Sequence, residues 1–230
     1  MGSRNELDEQ NMEKMVKRFK NISTTAISDT MDRLGIRSAM ASSIKPLRPG
    51  IKIAGPALTV KRIRNPENLG KEDFKDYKMA LHETIDSAKE GDIIVISADK
   101  DTEVATWGGN MTLRAMGNKL AGAVIDCGIR DSKELMEMGF PIFMRSIIPA
   151  AGTTRLTTVG VNVPIICGDI LVHPGDMIVG DDDGVAVIPK NLAEEVLTMA
   201  EELEETERKS AQYIREGHTL IEAIKKYKTR

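Results

Sequence analysis

Two short stretches of the sequence place reactive groups where a helical pattern begins. The first is Asp126-Cys127-Gly128-Ile129-Arg130-Asp131, directly after the apolar run Ala121-Gly122-Ala123-Val124-Ile125. In α/β proteins ligands gather beyond the carboxyl ends of strands, where loops present polar groups. An arginine beside an aspartate there offers a planar fork for a carboxylate and a hard oxygen for a cation. Structural readings compete with this one. Asp131 and Glu134 have the spacing of a capping box, and Arg130 can pair with Asp126. The second stretch is Thr106-Trp107-Gly108-Gly109-Asn110-Met111-Thr112, a glycine turn that feeds a helix. Such a turn leaves backbone N–H groups unpaired at the positive end of a helix dipole, where a carboxylate or phosphate can bind. A plain tight turn with Asn110 or Thr112 capping the helix also accounts for it, because glycine pairs are common.

Other candidates carry less. Asp181-Asp182-Asp183 lacks the twelve-residue ligand pattern of a calcium loop and reads as a hairpin turn. His82, His173 and His218 are isolated, with no zinc spacing. Cys127 and Cys167 sit in apolar surroundings and read as reduced core thiols. The acidic run 201–207 reads, on composition alone, as the solvated face of a helix.

These groups need a frame. Residues 11–19 and 23–34 have helical periodicity, Ser23 standing at a cap position. Residues 51–60 read as two short strands around a turn at Gly55-Pro56. Residues 73–89 read as an amphipathic helix, followed by a buried strand at 93–97. A polar loop, a helix at 111–119, a strand at 121–125, a helix at 131–138 and a strand at 141–144 complete an alternating α/β core. After Gly152 the texture changes to short β segments at 153–159, 161–167 and 169–172, with a hairpin at 176–188. A long helix from Pro189-Lys190-Asn191 runs past Glu207 and ends at Gly217, and a short one covers 219–227. One domain over 1–230 is the economical division, with 1–10 expected as a frayed tail.

Composition narrows the function classes. The chain has 230 residues and a formal net charge of −3, which disfavours a broad nucleic-acid surface. No apolar run approaches the roughly 20 residues that span a bilayer, and the N-terminus lacks a signal peptide's hydrophobic stretch. The expectation is a cytoplasmic protein with no membrane and no nucleic-acid partner.

Taken together, Trp107-Gly108-Gly109, the stretch from Gly122 through Arg130-Asp131, and Pro174-Gly175-Asp176 with Val179-Gly180-Asp181-Asp182-Asp183-Gly184-Val185 resemble one family. It is the family of the regulator of ribonuclease activity A and the class II 4-hydroxy-4-methyl-2-oxoglutarate aldolases, and the likeness covers about residues 23–217. The resemblance implies a β/β/α layered core like the swivelling domain, with helical N- and C-terminal extensions, assembled as a homotrimer or a dimer of trimers. The helices of 190–230 would then lie at a subunit interface. It also implies a divalent cation, Mg2+ or Mn2+, held at Asp131, and a small 2-oxo acid as substrate. Arg130 would contact the pyruvyl carboxylate and the oxygen that becomes an enolate. Gly108, Gly109 and the amides of Asn110, Met111 and Thr112 would cradle the carboxylate, and Glu207 would reach in from a neighbouring subunit. The implied activity is C–C cleavage releasing pyruvate, with oxaloacetate decarboxylation through the same enolate. The residues at 99–105 and 144–155 would line the distal pocket. One departure stands out. Where well-studied aldolases carry an acidic residue after the first glycine of the loop, this chain has Gly109. The alternative, also implied by the family, is a non-catalytic regulator that binds a ribonuclease.

Overall fold

A computed structural model describes residues 2–65 and 79–228, with side chains from Glu9 onward. The first part of the helix expected over 73–89 lies outside the described residues. Its remainder is α3 (Ala80–Ser87), preceded by α1 (Gly2–Phe19) and α2 (Thr24–Arg33). The strands before α3 are β1 (Lys45–Pro46) and β2 (Ile53–Arg64). The alternating part continues through β3 (Ile93–Ser97), β4 (Ala105–Trp107), α4 (Gly109–Gly117), β5 (Gly122–Ile129), α5 (Ser132–Met138) and β6 (Ile142–Ile147). A 3-10 turn, Gly152–Thr154, leads to β7 (Leu156–Val161), β8 (Ile165–Cys167), β9 (Ile170–Val172), β10 (Met177–Asp181) and β11 (Gly184–Ile188). Two helices close the chain, α6 (Ala193–Arg215) and α7 (Leu220–Tyr227).

One nine-stranded sheet runs β1-β6-β5-β3-β2-β10-β11, with β4 added to β5 and β7 to β2, so that it curls towards a barrel. Strands β2, β3, β5 and β6 are parallel neighbours. Their side chains alternate between two cores, as period-two geometry requires. Ile94, Ile96, Ala123, Ile125 and Cys127 face α3, α4 and α5, while Ile93, Val95, Val124 and Phe143 face the β10–β11 hairpin across the inside of the curl. A third core lies outside that hairpin, where Phe19, Ile27, Met31, Val196 and Leu197 from α1, α2 and α6 cover Val179 and Ile188. The terminal helices are therefore part of the core layers. The fold is the layered α/β class expected from the sequence.

Several local expectations change. Gly55-Pro56 does not turn the chain: β2 is one strand of 12 residues that changes partners there. Residues up to Pro56 pair with β10, and those from Ala57 pair with β3. A proline is tolerated at such a switch because its missing N–H interrupts neither ladder. Gly55 is required because a Cβ would lie 2.3 Å from the Gly91 carbonyl oxygen. Residues 126–129 are strand and not loop, since β5 runs on to Ile129. The polar loop before Gly108 contains β4. Helix α1 begins at Gly2, so the segment expected to fray enters as helix.

Both cysteines are buried and free. Burial pushes the Cys127 thiol up to about 12 and the Cys167 thiol up as well. Thiolate is the reactive form. Native protein treated with iodoacetamide at pH 8 is expected to stay unmodified by mass spectrometry, and both sites should react once urea is added. Labelling of the native chain at either cysteine would contradict this packing.

Candidate functional site

The site forms where two strand ends deliver their helices side by side. β4 ends at Trp107, Gly108 caps α4 in an extended conformation, and no side chain caps that helix. Asn110 and Thr112 are therefore not caps. Thr112 instead locks the turn: its hydroxyl accepts from Trp107 Nε1 at 2.7 Å and donates to the Gly108 carbonyl at 3.2 Å. The Thr112 N–H donates to Gly108 O at 3.1 Å, and the Gly109 N–H points at Asp131 Oδ2 at 3.2 Å. That leaves the Asn110 and Met111 amides without a partner among the described residues, at the positive end of the α4 dipole. Of the amides expected to cradle a carboxylate, these two remain free.

Asp131 begins α5 from the left-handed region, at φ 62 and ψ 30, and makes no side-chain capping bond to its own helix. The capping-box reading thus fails. That conformation is strained for a non-glycine residue, and such outliers concentrate at functional sites. Here it turns the carboxylate away from α5 and onto the glycine turn of α4. Arg130 Nε lies 3.8 Å from Asp131 Oδ2, and the Arg130 N–H donates to Trp107 O at 3.0 Å, which pins β5 to β4. Arg130 does not pair with Asp126. That carboxylate is buried within β5, where it accepts from Arg145 Nε at 2.6 Å and from the Gly168 N–H at 2.9 Å. Arg130 and Asp131 are about half exposed, both available to a ligand.

The glycines explain themselves by what stands against them. A Cβ on Gly108 would meet Asp131 Oδ2 at 2.7 Å and Arg130 Nε at 3.3 Å. A Cβ on Gly109 would meet the Glu134 carboxylate oxygens at 2.9 and 3.0 Å. The space where a loop side chain would stand is thus filled by Glu134 from the first turn of α5. Sequence reasoning offers Glu134 only as half of a capping box. The signal that could have found it is the coincidence of a glycine in the loop with a glutamate three residues after Asp131. Arg130, Asp131 and Glu134 line one groove with Lys133, Ile147 and Pro149, about 630 Å3 in volume.

Glu207 is not in that groove. It lines a second one, on α6, beside Arg18 and Arg208. Its neighbours in the acidic run are only partly a solvated face: Glu201 pairs with Arg18 at 2.7 Å, and Glu204 accepts from the Ser23 N–H at 2.6 Å. Asp181 is likewise structural, accepting from Thr24 N and Lys52 Nζ, and Asp182 from Gly50 N. Among the described residues no three His, Cys, Asp or Glu side chains form a metal cage. No helix among them is long and apolar enough to cross a membrane.

Comparison with known proteins identifies relatives of this fold. A "Putative 4-hydroxy-4-methyl-2-oxoglutarate aldolase" from Halalkalibacterium halodurans is 39% identical over 186 residues, 80% of this chain and 81% of that one. Protein DlpA of Legionella pneumophila is 29% identical over 97% of this chain, which spans only 35% of that protein. Among solved structures, an uncharacterized protein from Pseudomonas syringae superposes with a TM-score of 0.80 at 30% identity, covering 92% of this chain and 96% of that one. Streptomyces coelicolor RraAS2, described as an unusual member of the RNase ES inhibitor RraA protein family, gives 0.79 at 27% identity over 87% and 98%. Residues 24–187, which carry the glycine turn, Arg130, Asp131 and the β10–β11 hairpin, match the model of the RraA-like family, Aldolase/RraA, and the chain belongs to that family.

Proposed function

We propose that this protein is a metal-dependent lyase that cleaves a C–C bond of a small 2-oxo acid and releases pyruvate. The observation that carries the reading is the left-handed Asp131, which gives up its helix cap so that its carboxylate meets the glycine turn beside Arg130 and Glu134. The relative named as an aldolase supports the same class.

The donor set fits a hard divalent cation, Mg2+ or Mn2+. Such ions take one or two carboxylates and fill their remaining positions with water and substrate oxygens. Asp131 and Glu134 are the residues that would hold it. When bound, the cation supplies Lewis-acid polarisation of the 2-oxo group. The substrate carboxylate sits on the free Asn110 and Met111 amides, at the positive end of α4. Arg130 orients the 2-oxo oxygen and offsets its charge as the enolate forms, a role fixed in advance by the bond from its own backbone to Trp107. Ile147 and Pro149 give the groove an apolar side. Glu207 is assigned to the same site in a neighbouring subunit of a homotrimer or dimer of trimers, which leaves it free of the Arg130 groove within one chain.

Incubation with oxaloacetate or 4-hydroxy-4-methyl-2-oxoglutarate and Mg2+, with pyruvate followed by a coupled dehydrogenase, tests the reading. Pyruvate release abolished by EDTA supports it. No pyruvate from any 2-oxo acid, together with recovery of an RNA-degrading enzyme by pull-down, would establish the regulator instead.

Glu134 gives a sharper test. Glu134→Gln is expected to weaken metal-dependent turnover by about 10- to 100-fold, the usual cost of losing a supporting carboxylate. Gly109→Asp alone should also impair the enzyme, because its side chain would enter the space of the Glu134 carboxylate. Combining Gly109→Asp with Glu134→Ala should recover much of the loss, since the carboxylate only changes the element that carries it. A double variant no better than Glu134→Ala would show that the two positions are not equivalent.

A further inference from the structure

We propose that Arg62 is a positioning residue of this site, holding the strand that ends in the glycine turn and keeping a positive charge behind it. Arg62 stands near the end of β2 in the run Lys61-Arg62-Ile63-Arg64, which the sequence presents as an ordinary basic strand edge. The β2–β7 register shifts between Lys61 and Arg62, so that Arg62 pairs with Thr158 and Val159 is skipped. Val60, two residues earlier, is buried in the core under α3 and α4, and period-two alternation carries Arg62 onto the same face, while Lys61 pairs with Asp99 and Arg64 with Asp101.

Inside, Arg62 is 9% exposed, and among the described residues it touches only neutral acceptors. Nη1 donates to the Thr106 hydroxyl, and Nη2 donates to the Leu156 carbonyl at 2.9 Å. Nε is buried with no partner among the described residues. Nη1 also lies 3.4 Å from where a Gly152 Cβ would stand, so that glycine leaves room for the guanidinium. Among the described residues no carboxylate meets this guanidinium, and burial of a charge so placed is unfavourable enough that a neutral side chain would serve packing better. What the charge does here is local. Thr106 is the middle residue of β4, and Gly108 follows two residues later. Arg62 ties that strand to the 152–156 turn, while β4 is tied to β5 by Arg130 N–H to Trp107 O and to the following loop by Ala105 N–H to Ala150 O at 2.8 Å. The amides of Asn110 and Met111 and the backbone of Arg130 thus take their positions from a strand clamped on three sides. Arg62 is the clamp that also brings charge of the sign an anionic ligand needs.

The activity readout rests on the lyase reading above; the spectroscopic readout does not. Trp107, the one tryptophan of the chain, follows Thr106 and reports the position of β4 by its emission. Arg62→Lys keeps the charge but cannot span both acceptors, and Arg62→Met removes both functions. Lys119→Met, at an exposed pair with Glu90 of small value, serves as control. For Arg62→Lys the expectation is a changed Trp107 emission and a kcat for oxaloacetate lowered by about a hundredfold, with KM within a few-fold, as for an ångström-scale misplacement. For Arg62→Met the affinity for oxalate with Mg2+, a stable analogue of the pyruvate enolate, should fall by at least about tenfold as well. If Arg62→Met does not fold, Arg62→Lys alone decides. An Arg62→Lys protein that melts lower yet keeps wild-type kcat and Trp107 emission would overturn the proposal by showing a merely structural arginine. Should the wild type neither bind oxalate nor release pyruvate, the lyase reading falls, and the emission and amide hydrogen exchange of Asn110 and Met111 in Arg62→Lys still decide the clamp: unchanged values refute it, faster exchange and shifted emission uphold it.

Discussion

Replacing Asp131 by alanine is expected to lower kcat for pyruvate release by about a thousandfold, on the order of 4 kcal/mol of transition-state stabilisation. The size follows from the two things one carboxylate does. It is one of the two carboxylates proposed to hold a cation, and it accepts the Gly109 N–H at the start of α4. Alanine removes both, so less drastic variants must separate them. The Asp131→Asn variant keeps the shape, tolerates the left-handed backbone and can still accept from Gly109, but carries no charge there. A loss in Asp131→Asn close to that of the alanine variant assigns the effect to charge. Glycine at the same position should act in opposite directions on stability and activity. It relieves the cost of φ 62 and so raises stability slightly, by about 0.5–1 kcal/mol, while activity stays abolished. Stability given up at a single residue in exchange for chemistry is the mark of a functional outlier. Wild-type turnover in Asp131→Asn would remove Asp131 from the mechanism.

Much of this arrangement was legible before the structure. The apolar run before Arg130-Asp131 and the glycine pair before α4 are local signals, and each lands at a helix start as expected, although the strand β4 before the glycine pair was not read. Periodicity also placed α2, α6 and the β10–β11 hairpin, because their faces repeat over several turns or alternations. What escaped depends on long-range pairing. Nothing near Gly55-Pro56 says that β2 changes partners there, since β10 lies more than 100 residues away in sequence. Alternation from Val60 gives the face of Arg62, but the groups that meet it inside, Thr106 and Leu156, lie on β4 and β7, so nothing within β2 says what holds this arginine. Glu134 was visible as a residue, but its neighbour in space, Gly109, comes from another helix. Capping-box spacing gave it a sufficient local explanation, and only the left-handed Asp131 excludes that explanation.

The largest stability effect is expected at Asp126, inside β5. Asp126→Ala should destabilise the protein by about 3–5 kcal/mol, read as a lowered urea midpoint at unchanged slope. Asp126 is 1% exposed, and its two oxygens answer two separate segments. Oδ1 accepts from Arg145 Nε of β6 at 2.6 Å, and Oδ2 accepts from the Gly168 N–H, just after β8, at 2.9 Å. Arg145 Nη2 lies 2.5 Å from the same Oδ1 without a well-directed hydrogen bond, and Nη1 reaches Ser43. Removing the carboxylate strands a guanidinium whose side chain is only 11% exposed, and the penalty is mainly that of an unpaired buried charge. The pair itself need not be worth so much. Asp126→Ala combined with Arg145→Met should therefore be more stable than Asp126→Ala alone, because no charge is left behind. An Asp126→Ala protein within about 1 kcal/mol of wild type would mean that water reaches Arg145, and that this part of β5 is less closed than its burial indicates. The link to function runs along the strand. Asp126 anchors β5 four residues before Arg130, so turnover in the double variant, measured well below its melting point, separates an anchor for the fold from an anchor for the arginine.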